Sequence, residues 1–122
     1  MAISPEYREF ALELFDPVGT IAFRRMFGGA GLFHQGLMFA LIINETIYMK
    51  VDDINRPDFE AAGSVPFTYD TARGTRGVMS YFALPESVYD DPSEAVAWAQ
   101  GAIDAAFRAD AARPPSKRKR TS

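Results

Sequence analysis

The chain contains no cysteine in its 122 residues. That excludes disulfides, thiolate metal sites and a cysteine nucleophile, and it fits a reducing compartment. Histidine is almost as scarce. His34 stands alone, so a zinc centre or a histidine-based triad would have to be built around a single imidazole. No apolar run approaches the roughly 20 residues of a membrane-spanning helix. The opening "MAISPEYREF" has no basic segment leading into an apolar one. The expectation is a cytoplasmic protein without membrane contact. No G-x-S-x-G or other catalytic motif occurs, so the chain is expected to be neither an enzyme nor a cofactor carrier.

What is present describes one soluble domain, with 48% hydrophobic and 24% charged residues. The net charge of −3 is unevenly spread. Five of the 13 basic residues (Arg113, Lys117, Arg118, Lys119, Arg120) fall in the last ten positions, leaving eight against all 16 acidic residues for residues 1–112. A body of that sign repels phosphate backbones. The tail "RPPSKRKRTS" is expected to be a disordered basic extension over 113–122, with the folded domain over 1–112. Lys117, Arg118, Lys119 and Arg120 are its candidates for contacting DNA.

Periodicity gives the element order. Ser4 and Pro5 announce a helix carrying Tyr7, Phe10, Ala11, Leu14 and Phe15 at 3.6-residue spacing. "TIAFRRMF", "AGLFHQG", "LMFALII" and "TIYMKV" follow as strands, and breaks as short as "HQG" and "NE" imply an antiparallel meander. A short helix near 53–62, capped by Asp53 or Asn55, precedes the strands "PFTYD" and "GVMSYFAL", with "TARGTRG" between them as an exposed hairpin loop. Asp91, Pro92 and Glu94 then open a long helix. Its predicted buried stripe is Val96, Ala99, Ile103, Ala106 and Phe107, and Gly101, at a cost of about 1 kcal/mol, is expected to permit close packing. The result is an α+β fold, α-β(3-4)-α-β2-α, in two layers.

In "LMFALII" both alternating sets are apolar: Leu37, Phe39, Leu41 and Ile43 against Met38, Ala40 and Ile42. Two arrangements satisfy this. Either the helices divide between the two sheet faces, or they share one and the other meets a partner, most simply a second copy.

The stretch "RRMFGGAGLF" places arginines beside a glycine cluster, as phosphate-binding loops do. It lacks the lysine of a P-loop, and a strand rather than a helix follows, so no helix N-terminus faces an anion. A glycine bend within the sheet fits better. The bases Arg24, Arg25, Lys50, Arg73 and Arg76, with Phe27, Tyr48, Tyr69 and Tyr81 among them, are the residue types that line an interaction patch or stack bases. Arg24, Arg25, Phe27, Gly28, Gly29, Gly31, Tyr48, Lys50, Arg73 and Arg76 form the candidate interaction set. His34 falls in the expected turn "FHQG". Asp52 and Asp53 have the oxygen chemistry of a hard-cation site, but stand where carboxylates cap a helix. A small-ligand or enzymatic centre would have to use one of these two places.

The segments "MFGGAGL", "MFALI", "YMKVDD", "NRPDFEAAGS", "PFTY" and "MSYFALPE", followed by the alanine-rich helix with Trp98, occur in this order between Arg24 and Ala106. This pattern resembles the N-terminal domain of the TfoX family, bacterial regulators of competence for DNA uptake. The resemblance implies a secretion-chaperone-like α+β fold and a non-enzymatic regulatory or protein-interaction role, without implying any catalytic or ligand residue. It also implies a stand-alone N-terminal domain, because longer members continue into a helix-rich domain where this chain has only its basic tail. The expected partners are a second copy, a regulatory protein, and DNA through the tail.

Overall fold

The Ser4 hydroxyl accepts the Tyr7 N–H at 3.1 Å and caps α1, Pro5–Phe15. The computed structural model describes residues 3–26 and 28–119; residues 1, 2, 27 and 120–122 lie outside that description. After α1 the chain enters an antiparallel meander of β1 (Ala22–Met26), β2 (Gly29–His34), β3 (Leu37–Ile43) and β4 (Thr46–Lys50). Two of its turns have both central residues at positive φ: Gln35 and Gly36 at 51° and 84°, Asn44 and Glu45 at 50° and 57°. That backbone twist matches the twist of the flanking strands. Helix α2 (Arg56–Ala61) leads to β5 (Pro66–Thr71) and β6 (Gly74–Ala83), and α3 (Pro92–Ala111) follows. The sheet order is β1-β2-β3-β4-β6-β5, so the last hairpin enters with β6 beside β4 and β5 at the edge.

Expectations for three elements need correction. The hairpin loop "TARGTRG" is only a tight turn: Thr75, Arg76 and Gly77 continue β6 and pair with Asp70, Tyr69 and Thr68. In α3 the cap stands, Asp91 Oδ1 accepting the N–H groups of Ser93 and Glu94 at 3.2 and 3.3 Å. Of its predicted stripe Ala99, Ile103 and Ala106 are buried, but Val96 and Phe107 are only partly covered, and Ala95, Ala102 and Ala105 take their place. Small side chains bring the helix axis close to the sheet. Gly101 contributes nothing to that approach, because a methyl group added there would meet nothing within 4 Å.

The third correction concerns β3. Met38 pairs with Phe33 and Ala40 with Leu32, leaving Phe39 as an extra residue in a β-bulge. Alternation therefore skips a step. Leu37, Phe39, Ala40 and Ile42 are buried in the core, while Met38, Leu41 and Ile43 lie on the opposite face and are only partly covered. Phe39 meets the Phe15 ring edge-to-face at 5.8 Å.

All three helices lie on the core side. α1 packs on α3, and α3 on β3 and β4. Phe59 of α2 contacts Trp98 and Phe82 at centroid distances of 4.7 and 6.1 Å. Of the two arrangements compatible with the doubly apolar strand, the structure adopts the one that leaves a sheet face without helices. Buried Asn55 ties the layers together: its Oδ1 accepts from the Asp52 N–H at 2.7 Å, and its Nδ2 donates to the Lys50 carbonyl at 3.1 Å and to the Gly101 carbonyl of α3 at 3.4 Å.

Candidate functional site

The glycine cluster is a hairpin. Gly28, at φ 75°, turns the chain between β1 and β2, and Met26 pairs with Gly29 immediately beyond it. Phe27 lies outside the described residues. Gly29 and Gly31 serve the helix-free face rather than the turn. A methyl group on Gly29 would be driven into the Ile42 carbonyl oxygen and the Ile43 side chain, and one on Gly31 into the Met38 sulfur and the Phe33 ring. Their missing side chains let Ile43, Met38 and Phe33 lie flat on the sheet. Leu41 continues this surface to Tyr48 across β4, and Tyr48 meets Phe67 of β5 at 4.9 Å, edge to face. Phe67 in turn stacks with Tyr69, which is 49% exposed.

At one border of this face, cations gather. Arg24 lies over the Phe33 ring at 5.2 Å and Lys50 over the Tyr81 ring at 5.2 Å. Both line a cleft of about 350 Å³ that Arg113 and Lys119 also enter. Burial and the Arg113 charge push the Lys50 pKa down, and burial pushes the Tyr81 phenol up to about 12. Arg113 reaches the cleft because its guanidinium is held by buried Asp110 at 3.1 Å. The chain then folds back. Arg118 donates to the carbonyls of Arg113 and Ala111 at 3.1 and 3.0 Å, satisfying acceptors at the end of α3, and the Lys119 N–H donates to Asp110 Oδ1 at 2.7 Å. Lys117 is exposed in a single 3₁₀ turn, and Arg120 lies outside the described residues.

The remaining candidates lie elsewhere. Arg25 projects on the helix side of β1 over Phe23, which Arg8 also covers. Arg73 and Arg76 are exposed in the β5–β6 hairpin and do not line the cleft. His34 ends β2 instead of occupying the turn; its Nδ1–H donates to the Thr20 carbonyl at 3.0 Å, and Gln35 Nε2 donates to its Nε2 at 3.4 Å. Tyr81 and Arg113 are cleft residues that sequence reasoning did not place there. Only a β4–β6 register could have pointed to Tyr81.

Asp52 and Asp53 are structural. Asp52 receives Arg108 in a bidentate pair, Nε at 2.6 Å and Nη2 at 3.0 Å, and also accepts the N–H groups of Ile54 and Asn55. Asp53 pairs with Arg56 at 2.6 Å. Among the described residues no group of three or more His, Cys, Asp or Glu could hold a metal ion. None of the described helices is long and apolar enough to cross a membrane.

Hydrogen bonding from Arg108 holds the Asp52 carboxyl down at about 2, against an ordinary 3.8. A depressed folded-state pKa adds stability that is present above the unfolded value and lost as pH falls toward the folded one. The pair should therefore contribute about 1–2 kcal/mol at neutral pH that disappears between about pH 4 and pH 2; partial exposure of both side chains keeps this below the full linkage value. Urea titrations at about pH 6 and about pH 3 should show a smaller acid loss in Arg108→Met than in wild type. Equal acid losses would show that the pair does not contribute.

The sequence profile described as TfoX N-terminal domain matches residues 13–106. DNA transformation protein TfoX of Haemophilus influenzae is 29% identical over 90 residues, which cover 72% of this chain and 42% of that protein. The chain thus spans less than half the length of this curated relative.

Proposed function

Because the chain belongs to the TfoX N-terminal domain family, we propose that it is a non-enzymatic regulatory domain acting through protein contacts, and that two copies pair through the helix-free sheet face. The observation that carries this is the position of the helices: all three cover one side, so Met38, Leu41, Ile43, Tyr48 and Phe67 have no layer above them. Contiguous apolar surface of this kind is removed from water by association, and an isologous pairing lets one patch cover its twin. The relative is named a DNA transformation protein, and a part in DNA transformation is the corresponding role in this proposal. Engagement of Asp52 and Asp53 by arginines weighs against a catalytic centre at that place.

Sedimentation equilibrium at micromolar concentration should give a dimer for the wild type and a monomer for Leu41→Asp, with the circular dichroism spectrum retained. A monomeric wild type overturns the pairing. Salt-sensitive DNA binding that disappears with residues 113–122 would instead support a tail-mediated, DNA-associated role.

A further inference from the structure

Arg24, Lys50, Arg113 and Lys119 come from β1, β4 and the segment after α3, yet they line one cleft. Only Arg113 has a carboxylate partner; Arg24, Lys50 and Lys119 form no ion pair among the described residues. Lys50 is half-buried with an aromatic ring as its neighbour. Arg24, Arg113 and Lys119 are exposed and Lys50 is half-buried, so on an otherwise acidic body they make a local positive patch, and a patch of one sign concentrates ions of the other. The rest of the lining is apolar or aromatic: Met26, Met38, Phe33 and Tyr81 among it. The volume of about 350 Å³ falls within the range of small-molecule sites, roughly 300–1,000 Å³.

We propose that this cleft binds a small organic phosphomonoester, the phosphate seated among Arg24, Lys50, Arg113 and Lys119 and an apolar or planar body lying against Met26, Met38 and Phe33. Several positive charges match a phosphomonoester dianion better than a singly charged carboxylate, and charge-assisted bonds from guanidinium groups to phosphate are among the stronger hydrogen bonds proteins make. The glycines of the neighbouring hairpin take no part. The site goes beyond the role as an interaction domain: one copy holds every residue of the cleft, and Met38 and Phe33 stand where the cleft borders the helix-free face.

The test is calorimetric titration of the full chain with AMP, ribose 5-phosphate, inorganic phosphate and adenosine. AMP should bind about tenfold or more tightly than either inorganic phosphate or adenosine, because it alone combines dianion and planar body. Lys50→Gln and Lys119→Gln should each weaken AMP about tenfold, while Arg73→Gln, outside the cleft, should leave it unchanged. Lys119 is exposed, so its variant keeps the test valid if Lys50→Gln is unstable. Absence of AMP binding, or equal loss in Arg73→Gln, overturns the proposal. Equal affinity for AMP and inorganic phosphate overturns the organic-ligand assignment. Tighter binding of a dodecathymidylate than of AMP, lost with the same lysines, would assign the cleft to nucleic-acid phosphates and overturn the small-ligand assignment as well.

Discussion

Phe39→Ala should lower the stability of the domain by about 3–5 kcal/mol, read as a fall in the urea midpoint with little change in slope. The side chain is fully buried and meets Phe15 of α1, so truncation opens a cavity between sheet and helix that neither layer can collapse to fill. Two residues later on the same strand, Leu41→Ala should cost distinctly less, because that side chain lies on the helix-free face and is only partly covered. The contrast tests the bulge directly. In a strand of unbroken alternation Phe39 and Leu41 share a face, and the two truncations would cost similar amounts. Comparable losses would therefore refute the bulged register, and a small loss for Phe39→Ala alone would refute its place in the core.

Gly29→Ala is the second large effect, at about 1–3 kcal/mol. Here the obstacle to a methyl group is backbone, the Ile42 carbonyl of the neighbouring strand, which can move only if the β2–β3 ladder opens. At Gly31 the nearest atom is the Met38 sulfur, the end of a flexible side chain. Gly31→Ala should accordingly cost less, and Met38→Ala should relieve it while leaving Gly29→Ala unrelieved, in a double-mutant cycle followed by thermal denaturation. Relief of both by Met38→Ala would show that side-chain crowding, not strand contact, sets the cost at Gly29.

These two positions also show what the sequence could reveal. Caps and turns are local, so Ser4, Asp91, "HQG" and "NE" were legible, and with them the element order. Gly28 was legible as a bend for the same reason. The roles of Gly29 and Gly31 were not, because they depend on β3 lying alongside, and the bulge at Phe39 has no signature in a strand whose residues are all apolar. The candidate cleft was half legible. Arg24 and Lys50 stood out as bases among aromatics, but Arg113 was assigned to the tail, and Tyr81 joins Lys50 only through the β4–β6 pairing. Likewise the turn-capping role of Asp52, toward the N–H groups of Ile54 and Asn55, is local and legible, whereas its bond from Arg108, 56 residues away, is not.

The strand order has a consequence for how the molecule comes apart. β1 to β4 are joined by tight turns, so little chain entropy is spent in zipping them together. The β5–β6 hairpin joins them through the pairs Tyr48↔Ala83, Met49↔Phe82 and Lys50↔Tyr81, and the Val51 and Leu84 N–H groups extend the seam by donating to the Ser80 and Ile47 carbonyls. Partial openings follow the boundaries of supersecondary units, and opening at this seam would part the hairpin from the meander. Lys50 and Tyr81 face each other across it, so a molecule lodged against both would work as a clasp between the halves.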